Sequence, residues 1–142
     1  MNKSTTSLPN IDIYAIRLQP GQDLKKELQS FVDKNQLEAA WIATAVGSLT
    51  SYQIRFANES QPSGAQGHFE ILNLSGTLSL NGLHIHISIA DNTGKTFGGH
   101  LTDGCIIYTT AEIIIQSTNE YIFKREKDES TGWMELEVRN RP

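Results

Sequence analysis

Between the turn dipeptide Asn81-Gly82 and Ala90 the chain alternates without a break. Leu83, Ile85, Ile87 and Ile89 are apolar, and His84, His86 and Ser88 stand between them. A period of two belongs to a β-strand with one buried face; on a helix the same residues would scatter around the whole circumference. Asn81-Gly82 is the two-residue hairpin signal, so the strand has an antiparallel partner just before it. The same alternation sends His84 and His86 to one side, about 7 Å apart along the strand. Gly98-Gly99-His100 follows after a Gly-rich loop, so this one unit holds three of the chain's four histidines. Three imidazoles returning to one place are able to close on a single metal ion. His-x-His pairs also stand on plain exposed strands, and spacing leaves both readings open.

The rest of the chain extends the sheet. Residues 1–10 form a flexible lead ending at Pro9-Asn10, the domain runs over 11–138, and 139–142 is a short tail. Ile11 to Leu18 predicts a first strand, broken by Pro20-Gly21. A helix follows from a cap near Asp23 to about Asn35, with Leu24, Leu28, Phe31 and Val32 on one stripe. Further strands are expected at 39–46, 52–57, 69–74, 76–80, 83–90, 104–109, 112–116, 121–125 and 133–138. Asn58 to Gly67 is expected as an exposed loop. The fold class is α+β: a single domain, mainly an antiparallel curled or barrel-like sheet with one main amphipathic helix. One helix covers only part of such a sheet, which favours an oligomer.

Composition narrows the function classes. The 142 residues carry 12 Lys and Arg against 16 Asp and Glu, a net charge of -4. Gripping nucleic acid requires a basic surface that releases phosphate counterions, and this balance opposes it unless oligomerisation gathers the lysines. The cluster Lys124 to Glu129 cancels its own charge and reads as a solvated turn. Apolar runs such as Ile113-Ile114-Ile115 are too short for a bilayer, and Met1 to Ser7 has no signal-peptide character, so no membrane association and a cytoplasmic location are expected. Cys105 is the single cysteine, which excludes an intrachain disulfide and a Cys-rich zinc site and leaves a buried, inert thiol. Gly47-Ser48-Leu49 is no hydrolase elbow, and Gly94 to Gly99 lacks the ending of a phosphate loop.

Several ordered motifs together resemble one family. They are Pro20-Gly21-Gln22-Asp23-Leu24, Val46-Gly47-Ser48-Leu49, Arg55-Phe56-Ala57-Asn58, Gly67-His68-Phe69-Glu70-Ile71-Leu72, Leu74-Ser75-Gly76, His84-Ile85-His86, Gly98-Gly99-His100 and Thr110-Ala111-Glu112. Arg125, Asp128 and Thr131-Gly132 follow in order. The chain resembles the plant and prokaryote conserved (PPC) domain in its stand-alone bacterial form. That resemblance implies an antiparallel barrel-like domain assembled as a homotrimer. It also implies protein contacts through the segment matching Gly67, Phe69, Glu70, Ile71 and Leu72. Plant members bind DNA through a preceding Arg-Gly-Arg-Pro arm. This chain has no such arm, and its strand carries histidines where plant members are apolar or neutral. The fold group is also similar to that of acetolactate decarboxylase, a zinc enzyme with a His-x-His pair and a later His. This is analogy at the level of fold and spacing.

The candidate metal ligands are therefore His84, His86 and His100. Zinc is the expected ion, nickel, copper and iron also accept such nitrogens, and three protein ligands leave a position for water or a small ligand. Glu70, Asp91 and Glu112 are the carboxylates in the matching motifs, and no catalytic residue is assigned among them. Arg55 is a candidate clamp for an anionic group and, with Glu70, a candidate interface residue. Glu70 reads better as structural, paired with backbone or with Arg55 across a subunit boundary. Asp91 reads as an Asx-turn, His68 as a surface or interface residue, and Trp41 and Trp133 as core or interface packing. The functional expectation is a trimeric domain whose three-histidine metal site serves small-ligand binding or protein interaction. A DNA-associated regulator and a zinc-dependent enzyme acting on a small carbonyl or acid substrate are the alternatives.

Overall fold

The computed structural model describes residues 10–142; all of the expected N-terminal lead except Asn10 lies outside the described residues. The elements run β1 (Ile11–Leu18), α1 (Leu24–Asn35), β2 (Ala40–Arg55), β3 (Ser63–Ser79), β4 (Gly82–Ala90), β5 (Thr96–Leu101), β6 (Ile106–Thr118), β7 (Tyr121–Lys127) and β8 (Met134–Asn140). Six strands form one antiparallel sheet in the order β1-β6-β2-β3-β4-β5, and β5 also pairs back onto β2. The sheet therefore curls until β2, β3, β4 and β5 close a ring. β7 and β8 form a separate two-stranded ribbon.

The apolar face of β4 lies in the core as its alternation requires. Ile85, Ile87 and Ile89 are buried with Leu74 and Leu78 of β3, Ile54 of β2 and Leu101 of β5. Helix α1 closes the core beside them through Leu24, Leu28 and Val32, all fully buried, each contributing about 1.5–3 kcal/mol. Phe31 completes the stripe edge-on to Tyr14, with ring centroids 5.3 Å apart. Asp23 caps the helix: its Oδ1 accepts from the backbone N–H groups of Lys25 and Lys26, and its Oδ2 accepts from Gly104 at 2.7 Å. One carboxylate thus satisfies two helix-end donors and ties the helix to the turn before β6. Cys105 is buried, and burial pushes its thiol up to about 11. No helix among the described residues is long and apolar enough to cross a membrane.

The expected strand boundaries need correction. The breaks anticipated near Gly47, Ser75-Gly76 and Thr110-Ala111 are not ends; β2, β3 and β6 run straight through them. The glycines serve close approach between strands. A Cβ on Gly76 would stand 2.0 Å from the carbonyl oxygen of His84, and one on Gly47 would stand 2.2 Å from that of Thr110. Together with register shifts at Leu49/Ser51 and Ile71/Asn73, this lets long strands coil tightly without leaving the sheet. The loop expected up to Gly67 ends sooner, because β3 starts at Ser63. The charged cluster expected as a turn is the end of strand β7, and the turn lies beyond it, where Asp128 accepts from Ser130. Trp133, in the turn just before β8, is 66% exposed and takes no part in the core of this chain.

Gly76 stacks so closely on β4 that Gly76→Ala is expected to destabilise the domain by about 2–3 kcal/mol. Denaturant unfolding followed by circular dichroism measures this, and an unchanged midpoint would contradict the close-approach account.

Candidate metal centre

The curl of the sheet determines which side chains meet. His86 of β4 is directly opposite His100 of β5, and His100 is in turn opposite Arg55 of β2. One pleat further along β4, His84 is opposite Thr77 of β3. Residues in cross-strand register, or two apart on one strand, share a face. The three imidazoles accordingly crowd together on the outer face of the ring. Ring centroids are 5.1 Å apart for His84–His86, 5.1 Å for His84–His100 and 5.8 Å for His86–His100. One nitrogen from each ring lies within 4.8 Å of the others. The segment holding His100 is a strand and not the expected loop, because Gly98 and Gly99 pass where a Cβ would meet backbone atoms of β4 and β2.

The β7–β8 ribbon roofs this face. The Phe123 carbonyl accepts from Asn81 Nδ2 at 3.0 Å, and the Phe123 N–H donates to the Glu38 carbonyl at 2.8 Å. Thus anchored, the ribbon brings Arg125 over His84. One guanidinium nitrogen donates to Thr77 Oγ1 at 2.6 Å, and another stands 3.5 Å from His84 Nδ1. Between ribbon and sheet lies a groove of about 810 Å³, whose walls include Arg55, His84, His100, Arg125, Trp133 and Glu135. The Arg55 guanidinium lies 5.8 Å from the centre of the Trp133 ring, a cation–π distance.

Burial, and then the Arg125 charge, hold His84 below the ordinary imidazole value. Burial and then Arg55 lower His100 to about 4. Both imidazoles are therefore neutral near pH 7, with lone pairs available to a cation. Three imidazole nitrogens converging from two adjacent strands suit a divalent transition metal, and His84, His86 and His100 are the residues that would hold it.

The other expected residues fall elsewhere. Asp91 makes the Asx-turn, accepting from the backbone of Thr93 at 2.8 Å and of Lys95 at 3.0 Å. Glu70 and Glu112 are exposed on β3 and β6, and none of these three carboxylates lines the groove. Phe69 and Ile71 are buried, whereas Gly67, Glu70 and Leu72 are exposed on the same strand. Arg55 sits in the groove beside His100, away from that segment's register partners. His68 is exposed, its ring 4.5 Å from that of Tyr108. Trp41 is half-buried, its indole N–H donating to Gln116 at 2.9 Å. Glu135 and the site position of Arg125 were not anticipated. Arg125 lies 41 positions from His84, and no local pattern signals that a second sheet folds back over the first.

The Plants and Prokaryotes Conserved (PCC) domain model matches residues 6–119. The chain belongs to this family. The match stops short of the β7–β8 ribbon of the PCC chain. Two Synechococcus proteins, each named "Bifunctional protein GlmU", are 44% identical to it over 129 residues. They align with 91% of the chain, which spans 21% and 20% of their lengths, about a fifth of each. A solved hypothetical protein from Salmonella is 38% identical, with a TM-score of 0.92 over 96% of this chain and 99% of that one. A solved "Metal-containing Protein" from Archaeoglobus fulgidus has a TM-score of 0.72 over 93% of this chain and 99% of that one, at 22% identity, and shares the fold.

In metal-free protein, the His100 ring resonances are expected to titrate near pH 4, well below the ordinary 6.5. Arg55→Gln should raise that midpoint, since it removes a positive charge that disfavours the imidazolium. An NMR pH titration reads both, and a wild-type midpoint near 6.5 would contradict the placement of His100 under Arg55.

Proposed function

We propose that this domain is a metal-dependent small-ligand-binding module, working as a homotrimer in the cytoplasm. His84, His86 and His100 hold one divalent transition metal, zinc by the preference of its donors. The observation that carries this reading is the convergence of three imidazole nitrogens within 4.8 Å of one another. Zinc–nitrogen bonds of about 2.0–2.1 Å place tetrahedral donors roughly 3.4 Å apart, a spacing reached by rotation of the side chains. The Archaeoglobus protein, described as metal-containing, has the same fold and supports the assignment. A bound zinc with an open position polarises a carbonyl or acidifies a water. The residues of the chain itself present two guanidiniums to whatever enters the groove. Glu135 lines the groove without joining the three-imidazole cluster, and on that ground ligand binding is favoured over catalysis. The net charge of -4 disfavours direct DNA binding.

Purified wild-type protein is expected to carry about one metal ion per chain by elemental analysis, and His84→Ala/His86→Ala is expected to lose it. Equal metal content in the two proteins would defeat the assignment. The remote His68→Ala variant serves as a control and should retain the metal.

The trimer is supported by exposed apolar side chains on the neighbouring strands β2, β3 and β6: Val46 (56% exposed), Leu72 (53%) and Tyr108 (43%). Light scattering should give about three times the chain mass of 15.8 kDa, and Leu72→Asp should lower it. A wild-type monomer at micromolar concentration would refute the assembly.

A further inference from the structure

The groove over His84 and His100 contains guanidinium donors that no carboxylate among the described residues occupies. The ion pairs among the described residues join Lys25 to Asp103, Arg139 to Glu126 and Glu137, and Arg141 to Glu38. Neither Arg55 nor Arg125 takes part in one, although both line the groove. Arg55 donates to the Glu59 backbone carbonyl at 3.3 Å, and Arg125 donates to Thr77. Glu59 and Glu135 also line the groove and balance the two arginines in formal charge. A dication on three neutral imidazoles then adds two positive charges that its ligands do not neutralise.

Metal binding also changes what Arg125 is able to do. A guanidinium only donates, so its contact with His84 Nδ1 requires a lone pair on that nitrogen. If the metal takes Nδ1, it displaces the guanidinium. If the metal takes Nε2, the proton resides on Nδ1, and two donors face each other. Either way an N–H of Arg125 is freed in the groove that Arg55, His84 and His100 also line. At about 810 Å³ the groove exceeds the needs of an inorganic ion and matches a small organic molecule. Trp133 supplies an exposed aromatic wall for the body of such a molecule.

We propose that the groove binds a small organic anion, its oxyanion head held by Arg55 and Arg125 beside the histidine triad and its flat body against Trp133. The proposal rests on the metal reading above and assigns the class of ligand. Carboxylate and phosphate heads share the required chemistry, since both accept paired N–H bonds from guanidinium.

The test is calorimetric titration of the zinc-loaded full chain with benzoate, phenyl phosphate and neutral benzamide. At least one anion is expected to bind tenfold or more tightly than benzamide, and the stronger of the two identifies the head group. Arg55→Gln and Arg125→Gln should each weaken that anion about tenfold with zinc content unchanged, and Trp133→Ala should weaken both anions. Lys127→Gln removes an exposed charge from the same ribbon outside the groove and should have no effect. Anions binding no better than benzamide, or arginine variants binding like wild type or like Lys127→Gln, would overturn the proposal. The same titrations on chelator-treated protein separate the two readings. Absence of zinc uptake by wild type defeats the metal assignment, and the arginine dependence measured without metal then decides the anion site by itself.

Discussion

The pairing of β5 back onto β2, Ile54 with Leu101 and Arg55 with His100, is the constraint on which the rest of the molecule depends. It is only two residue pairs long, but it turns a curled sheet into a ring. Ring closure buries Leu101 and Ile54 in the same core as the apolar face of β4. The same closure leaves His100 between His86 and Arg55. Core formation and site formation are thus one event: the alternation that points isoleucines inward points imidazoles outward. A one-residue slip of β4 would bury two histidines and expose three isoleucines, so burial of the core holds the ligand set in register.

The electrostatics of the groove follow from that arrangement. Imidazoles packed beside guanidiniums and partly withdrawn from water lose their protons below the ordinary imidazole value, as His84 and His100 do. The lone pairs of His84 and His100 therefore stand beside two guanidiniums. Glu135 is the counterweight within the chain, since its charge acts on both Arg125 and His84. The exposed pairs of Arg139 with Glu126 and Glu137 contribute little by comparison, being open to water and screened by salt.

Much of this was legible before any coordinates. The β4 alternation, the α1 stripe with its Asp23 cap and the Asx-turn of Asp91 are local signals, and each appears where expected, whereas the hairpin turn expected at Asn81-Gly82 lies one residue earlier, at Leu80-Asn81, because Ser79 pairs with Gly82. His84 and His86 on one face follow from the same periodicity. Strand ends were misjudged because glycine has two meanings in a sheet. At Gly82 it takes the positive-φ position that follows the Leu80-Asn81 turn, whereas at Gly47 and Gly76 it lets a neighbouring strand approach. Residue type does not separate these cases; only the identity of the facing strand does. The pairing of His100 with Arg55, and the descent of Arg125 onto His84, are long-range consequences of curl and have no local signature.

The two sheets divide the work chemically. The six-stranded sheet supplies the three nitrogens and Arg55, all on strands within the region that the family model matches. The ribbon supplies Arg125, Glu135 and Trp133 from beyond that region. A ligand set on rigid paired strands is held in position by the core beneath it. The ribbon attaches through hydrogen bonds at Phe123 and Asn81 and through a few contacts with β3, so its side chains adjust at smaller energetic cost. Changes in β7 or β8 are therefore free to alter what the groove accepts while leaving the histidine triad intact. Such a division lets one barrel keep its histidine triad and vary the groove above it.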